Sequence, residues 1–406
     1  MDAQNHIQLS CAKLRRTLFP SPYHVNKIFF TILFSTYLAL SLIGFIRPNN
    51  HITLFNTLLG LFALILFSTR IQREHVPIYL FAGFLAASFL VSSLFVWRTG
   101  WRLYFPICFL VSCPGIAMIL LRGYVYSWGG YIVFYGLTAY FLMFMLTGVD
   151  GYSALKFSSW NGISTLMLVA CISLYIILSM ENKPIDFMPA LFTLVISIWG
   201  IGRSGIASSI VLLLGLLFVR LRSKPRYIYY VIICLFIVYV FHEVFLFATD
   251  YPIFGNAMDH YWARKMETGP SERLKMWGNY FNNLDLFRLL FGVNVTEDPW
   301  IEGEVLGYNY HNSFINLHLQ TGMMGLITLA LILFTFFKYY RIHQVFLVLW
   351  LTLIVRSSTD LLIFFGPFDF LPFFFIFYLL KHPHVRVPHM NLVPSGIKAD
   401  CSPGCR

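Results

Sequence analysis

The sequence predicts an all-α integral membrane protein. Its residues are 58% hydrophobic and 12% charged, with a mean hydropathy of +0.70, whereas soluble domains contain about 25% charged residues. Apolar stretches of about 20 residues, the length that a helix needs to cross a bilayer, recur along the chain. Because these stretches are continuous rather than alternating, and because lipid admits only helices and closed barrels, the pattern favours helices.

About twelve transmembrane helices are expected, with one long loop between the ninth and the tenth. Residues 1–27 form a polar, basic tail without a cleavable signal peptide, and residues 381–406 form a second polar tail. Helices 1–9 occupy 28–248, the long loop 249–312, and helices 10–12 occupy 313–380. The individual helices are expected at 28–46, 52–69, 77–97, 104–121, 125–147, 161–180, 185–201, 205–222, 227–248, 313–337, 342–358 and 361–380.

Lysine and arginine set the orientation, because cytoplasmic loops are enriched in both. With a cytoplasmic N-terminus, 18 of the 29 Lys and Arg residues fall on the cytoplasmic side, and only 6 fall in short outer loops. Both termini are then cytoplasmic, and the long loop faces outward. The net charge of +11 follows from this bias, so nucleic acid is not an expected partner.

The long loop differs in composition from the rest of the chain. It contains nine of the 18 acidic residues and none of the seven cysteines. Residues Ser271 to Phe291 are expected as one amphipathic helix on the membrane surface, because Leu274, Trp277, Tyr280 and Phe281 recur at helical spacing. The working site is expected in an outward-facing cleft that this loop shares with the helix bundle.

Arg203 lies in the segment Gly200-Ile201-Gly202-Arg203-Ser204-Gly205, between two apolar helices at the outer face. A charge at that depth is expensive and is typical of a functional site. The flanking glycines permit a tight turn and the close approach of a ligand. The alternative is an arginine that extends to a lipid phosphate.

Arg273 lies at the start of the predicted loop helix. A helix N-terminus with a guanidinium beside it suits a diphosphate group. The alternative is a surface arginine that is paired with Glu272 or Glu267. Arg264, earlier in the same loop, is a further candidate for contact with substrate.

His311 stands at the outer end of the tenth helix, in the segment Tyr308-Asn309-Tyr310-His311-Asn312-Ser313-Phe314-Ile315-Asn316. An imidazole there can take a proton from a sugar hydroxyl near neutral pH. Asn312 and Asn316 are candidates to bind ligand hydroxyls or to orient the imidazole. The alternative is a structural histidine at a helix start. His318, two turns further along, is expected to pack in the interior, and a second polar contact with the ligand is the alternative.

Acidic residues are sparse on the outer face. Asp360 lies four residues after Arg356, and the two form either an ion pair at the membrane edge or one wall of the acceptor or lipid site. The first outer loop, 47–51, contains no carboxylate, and no tight Asp/Glu cluster occurs in a plausible outer site. A mechanism without a metal or another cofactor is therefore expected.

The order of these motifs resembles the bacterial O-antigen ligase and O-antigen polymerase superfamily. The shared features are Arg203-Ser204-Gly205 in a turn, Arg273 to Trp277 in the long loop, Phe291-Gly292-Val293, and His311 to Gly325 opening a helix. They span about residues 195–335. Asn294 departs from the pattern, which usually has a glycine there, and the acidic segment 296–307 matches no part of it.

The resemblance implies a membrane glycosyltransferase with a GT-C-like helix bundle in the bacterial inner membrane. Such enzymes take a glycan from undecaprenyl diphosphate at the periplasmic face. A polymerase transfers it to another lipid-linked repeat unit, and a ligase transfers it to lipid A-core. Arg203 and Arg273 would hold the diphosphate, and His311 would act at the acceptor hydroxyl. A chain-length regulator or a flippase would be a further partner.

Polymerase is the favoured activity, because the segment Ser158 to Ser164 resembles a polymerase segment. Ligase is the first alternative. The second alternative is a transporter or flippase of lipid-linked glycan, a class that usually has repeated halves, broken helices and acidic residues within the membrane.

Overall fold

The computed structural model describes residues 22–68, 75–149, 151–155, 161–221, 270–294 and 310–381, and every regular element in these ranges is a helix. The helices are α1 (Pro22–Ile46), α2 (Asn50–Ser68), α3 (Val76–Phe95), α4 (Trp101–Leu121), α5 (Ser127–Leu146), α6 (Gly151–Ala154), α7 (Asn161–Met180), α8 (Met188–Trp199), α9 (Arg203–Leu221), α10 (Pro270–Asn282), α11 (Leu286–Phe291), α12 (Ser313–Thr321), α13 (Met323–Ile342), α14 (Gln344–Ser357) and α15 (Phe370–Lys381).

Eight of the described helices are long and apolar enough to cross a membrane: α1 to α5, α7, α9 and α13. Three shorter apolar helices, α8, α14 and α15, lie among them. These helices confirm the prediction of an all-α, multi-pass membrane protein. The helix predicted at 227–248 and both predicted tails lie outside the described residues, so the count of twelve spans stays a prediction.

Helix α7 forms the centre of the bundle. All its residues from Gly162 to Ser179 are buried, and it contacts α1, α4, α5, α8, α9 and α14. A helix that is apolar all round can occupy such a position because each side meets another helix. Around it, small residues permit close packing: a Cβ at Gly60 of α2 would lie 2.4 Å from the Cβ of Ser112 in α4.

Polar clusters mark the two ends of the bundle. At one end, the Lys27 ammonium of α1 lies 2.7 Å from Glu181, which follows α7. The backbone N–H of Ser127, at the start of α5, donates to the same carboxylate at 3.0 Å. We call the other end the site face; it includes the turn 200–202, residues 310–312 and residues 358–361.

The tenth predicted helix, 313–337, is broken in the structure. Helix α12 ends at Thr321, and α13 begins at Met323. Gly322 between them has a φ of 56°, and a Cβ there would lie 2.0 Å from the Leu290 carbonyl oxygen. Glycine ends the helix here because its positive φ and missing side chain let the backbone of the long loop approach. Hydropathy gives no sign of this contact, so the prediction missed the break.

The last predicted helix, 361–380, starts nine residues late. Residues 358–369 are not helical, although they enter the bundle, and α15 begins only at Phe370. Within the bundle, protein groups satisfy this backbone, as an apolar interior requires. The Asp369 carboxylate accepts from the N–H groups of Phe364, Phe365 and Gly366 at 2.6, 2.6 and 3.1 Å.

The predicted loop helix is two helices, α10 and α11, separated by residues 283–285. The Asp285 carboxylate accepts from the Arg288 N–H and thus caps α11. In α10, Tyr280 is buried, but Leu274 and Phe281 are exposed. The apolar spacing therefore predicted helical structure here but not its division into two helices, and the position on the membrane surface stays a prediction.

Candidate functional site

A buried arginine organises the site face. Arg356, in the last turn of α14, is 1% exposed. Its guanidinium donates to the Ser204 hydroxyl at 3.1 Å, the Asn161 carbonyl at 3.1 Å and the Thr165 hydroxyl at 2.6 Å. It also donates to the Asp360 carboxylate at 3.0 Å. Of the two interpretations of Arg356 and Asp360, the structure shows the ion pair.

Asp360 joins this arginine to His311. One carboxylate oxygen accepts from Arg356, and the other lies 3.6 Å from Nδ1 of His311 and accepts from the Leu361 N–H at 2.9 Å. Burial alone would raise the pKa of Asp360. The interaction with the nearby His311 imidazole and the charge of Arg356 outweigh it, so the pKa lies well below its ordinary value.

The backbone around His311 holds the imidazole at this carboxylate. His311 has a φ of 48°, in the left-handed region. The next residue, Asn312, caps α12 by accepting from the N–H groups of Phe314 and Ile315. Its amide donates to the Ser358 carbonyl at 3.0 Å. Both ends of the Asn312 amide are therefore occupied by the protein, which indicates a positioning role.

Two further side chains fasten α12 to residues 358–369. Ser313 donates through its hydroxyl to the Asp360 carbonyl at 2.8 Å and accepts from the Leu362 N–H at 2.9 Å. Asn316 donates to the Phe364 carbonyl at 3.2 Å. The segment that carries Asp360 and the helix that follows His311 are thus connected at several points.

Arg203 is the exposed first residue of α9, beside Ser204. The glycines around it serve helix packing: a Cβ at Gly205 would lie 1.9 Å from the Ser164 hydroxyl oxygen, and one at Gly202 would lie 3.1 Å from the Asn161 side chain. Helix packing is thus sufficient reason for both glycines, and the expected approach of a ligand stays a prediction.

The helix that contains Arg273 is held beside His311. In α10, the Trp277 indole N–H donates to the carbonyl of Tyr310 at 2.7 Å, and Tyr280 packs on Tyr310 with ring centroids 4.9 Å apart. Arg273 lies in the first turn of α10, one turn before Trp277; its side chain is outside the described part of the structure. Arg264 also lies outside the described residues.

His318 and Arg98 attach the long loop to the bundle. The His318 ring forms hydrogen bonds with the Tyr280 hydroxyl through Nδ1 and with the Leu289 carbonyl through Nε2. Because a carbonyl only accepts, Nε2 carries the proton. This agrees with the expected interior position of His318, which is 5% exposed.

Arg98 is 5% exposed, and sequence analysis did not single it out. Its guanidinium donates to the Val293 carbonyl, just after α11, and to the carbonyls of Leu319 and Gln320, at the end of α12. It also donates to the Ser92 hydroxyl. Burial lowers its pKa to about 10. A single arginine in a short loop gives no sequence signal of these distant partners.

The structure brings Arg203 and His311 to the same end of the bundle. Ser204, Arg356 and Asp360 form a continuous series of contacts between them. Among the described residues, no group of three or more His, Cys, Asp or Glu side chains is arranged to hold a metal ion. Comparisons with protein-family models, with curated proteins and with solved structures find no match.

Proposed function

We propose that this protein is an undecaprenyl-diphosphate-dependent glycosyltransferase that polymerises lipid-linked oligosaccharide repeat units of O-antigen or a related surface polysaccharide. The supporting observation is the contact series from Arg356 through Asp360 to His311, at the end of an apolar bundle that also presents Arg203. Buried charges at a membrane protein's edge are costly and favour a functional explanation.

In the proposed reaction, a hydroxyl of the acceptor sugar attacks the anomeric carbon of the donor glycan. The new bond joins the acceptor oxygen to that carbon, and the carbon–oxygen bond to the diphosphate breaks. The diphosphate leaves with the electron pair, and His311 receives the hydroxyl proton. Arg203 and Arg273 stabilise the charge that develops on the leaving group.

Asp360 and Arg356 act through His311 in this proposal. Since Asp360 faces Nδ1 of His311, Nε2 is the nitrogen assigned to the acceptor hydroxyl. The carboxylate fixes the ring and stabilises the imidazolium that forms, while Arg356 keeps Asp360 ionised. Sequence analysis offered Arg356, Asp360 and Asn312 as candidates for substrate binding. In this proposal they are instead positioning residues. Asn316 and Arg264 keep their proposed substrate contacts.

The proposed topology has twelve spans in a GT-C-like bundle of the bacterial inner membrane. Helix α9 runs from the site face to the other end, whereas α10 lies at the site face again. In the proposed topology, the helix expected at 227–248, outside the described residues, would supply the crossing between α9 and α10. The site face would lie in the periplasm and both termini in the cytoplasm.

A gene deletion distinguishes polymerase from ligase. A strain without the polymerase should display single repeat units on lipid A-core, and the wild-type gene should restore the polymer. Loss of all surface glycan, with lipid-linked polymer accumulating, would instead identify a ligase that uses lipid A-core as acceptor.

A chain-length regulator, as a proposed partner of a polymerase, should copurify with the protein.

A transporter or flippase of lipid-linked glycan is the second candidate, and two features favour it: the helix break at Gly322 and the non-helical residues 358–369 inside the bundle. Purified protein in liposomes separates the two classes. A glycosyltransferase makes polymer from the lipid-linked repeat unit, whereas a flippase moves that unit between leaflets and leaves its length unchanged.

A further inference from the structure

The short helix α11 presents an apolar face away from the protein. Leu286 is 71% exposed, Phe287 48% and Leu290 39%. If α11 lay in water, these three neighbouring apolar side chains would be exposed to it on a helix of only six residues. An apolar patch of this kind usually marks a surface that meets another phase or another protein.

Helix α11 lies against the end of α3. The Phe291 ring stacks on Phe95 with centroids 4.0 Å apart, and the rings of Phe287 and Phe95 form a T-shaped pair with centroids 6.4 Å apart. The backbone at the end of α11 is also hydrogen-bonded to this region. The Ser92 hydroxyl donates to the Phe291 carbonyl, and the Arg98 guanidinium donates to the Val293 carbonyl. The position of α11 is thus fixed relative to α3.

Helix α3 is a candidate membrane span, and its outer side is apolar as far as its end. Leu90, Val91 and Leu94 are exposed on this helix. Trp97, just beyond it, is 79% exposed, and tryptophan is enriched where helices leave the bilayer. The exposed face of α11 therefore continues the apolar surface of α3 at the level where the membrane ends.

We propose that α11 is an interfacial anchor whose Leu286, Phe287 and Leu290 side chains insert between lipid acyl chains at the bilayer surface. The occupant of this face is lipid, because the face is continuous with the exposed side of a membrane-spanning helix. Short amphipathic helices commonly lie in the interface in this way. Through Arg98 and His318, the anchor also fixes the position of α12, the helix that follows His311.

Spin-label accessibility in lipid nanodiscs tests this anchor. Leu286→Cys and Leu290→Cys would be labelled separately in a variant whose seven native cysteines are replaced. Phe84→Cys, on the exposed side of α3, is the lipid reference, and Asn282→Cys, at the exposed end of α10, is the solvent control. At positions 286 and 290 we expect collisions with oxygen to exceed those with a water-soluble nickel complex several-fold, as at position 84.

Two results would overturn the proposal. Greater accessibility to the nickel complex at both positions would place α11 in water. Low accessibility to both reagents would show that protein, such as a second copy of the chain, covers the face. The wild-type protein gives an independent measurement by hydroxyl-radical footprinting in nanodiscs: Leu286 and Phe287 should be protected, whereas the exposed His51, beside the polar residues 47–50, should be oxidised. Oxidation of Leu286 and Phe287 to the same extent as His51 would contradict the anchor, which does not depend on the proposed catalytic activity.

Discussion

Each end of the bundle contains an ion pair between charged side chains. At the site face, Arg356 is almost fully buried, and Asp360 is its carboxylate partner. At the other end, Glu181 accepts from Lys27 and Lys183 at 2.7 and 2.9 Å. Removing one partner of a buried pair leaves the other charge uncompensated, which costs more than the pair itself contributes.

Asp360→Asn should lower the thermal midpoint of the purified protein. The substitution leaves the Arg356 guanidinium buried without its carboxylate, and we expect a loss of roughly 3 kcal/mol in the free energy of unfolding. The matched control is Asp186→Asn, which alters an exposed carboxylate and should change the midpoint little. An unchanged midpoint for Asp360→Asn would show that the ion pair contributes nothing to stability.

Glu181→Gln should destabilise the protein at neutral pH but less in acid. Burial alone would raise the pKa of Glu181, but hydrogen bonds from Lys27, Lys183 and Ser127 lower it from 4.5 to about 2. The folded pKa lies below the unfolded value, so this stabilisation is complete above about pH 4.5 and is lost as the pH falls toward 2. The difference between the thermal midpoints of wild type and variant should therefore be largest at pH 7 and clearly smaller at pH 3. A difference that is constant across this range would refute the linkage.

Sequence reasoning identified several residues of the candidate site but not all their contacts. Arg203, His311, Arg356 and Asp360 were recognisable because charges at the edges of apolar helices are conspicuous. The contact of Arg356 with Thr165 joins positions 191 residues apart. The packing of helices α7, α9 and α14 brings these two residues together. A local sequence pattern cannot predict such a contact.

At the scale of helices, the backbone departs from regular structure where the long loop meets the bundle. Gly292 and Gly322 both have positive φ values, and each brings its backbone against the opposite segment. A Cβ at Gly292 would lie 2.1 Å from the Leu319 carbonyl oxygen. The helix break at Gly322 thus provides the place where residues 290–293 attach.

Gly322→Ala should destabilise this attachment. A side chain at a φ of 56° is strained by about 1–2 kcal/mol, and the new Cβ would collide with backbone rather than with a movable side chain. We expect a lower thermal midpoint and faster protease cleavage between residues 283 and 294. Gly83→Ala is the control, because Gly83 lies in α3 with nothing within 4 Å of a new Cβ. Equal behaviour of the two variants would contradict the close backbone contact.

Continuous hydrophobicity was sufficient to predict where most of the described helices lie. It failed at residues 361–369, where Leu362, Ile363, Phe364 and Phe368 are buried but not helical. Hydropathy reports that a segment avoids water, and it does not report how the backbone is hydrogen-bonded. The Asp369 carboxylate replaces the missing helical hydrogen bonds here, a substitution that only the tertiary structure reveals.

At the scale of the whole molecule, the two ends of the bundle differ in chemistry. One end has a lysine–glutamate cluster between the starts of α1 and α5 and the end of α7. The site face gathers the starts of α7 and α9 and the residues before α12 and after α14 around Arg356. The long loop attaches at this same end, through Trp277 and Arg98. The groups of the proposed site thus lie at the end of the bundle where the long loop attaches.

The most direct test of the proposed activity is polymer formation by purified protein in liposomes that contain its lipid-linked repeat unit. His311→Ala should reduce the rate about 100- to 10,000-fold, as expected for loss of a general base, while the thermal midpoint stays close to that of wild type. The control is His51→Ala, because His51 is an exposed histidine near the start of α2; it should retain the wild-type rate. Polymer formation by a folded His311→Ala protein at the wild-type rate would contradict the proposed role of His311.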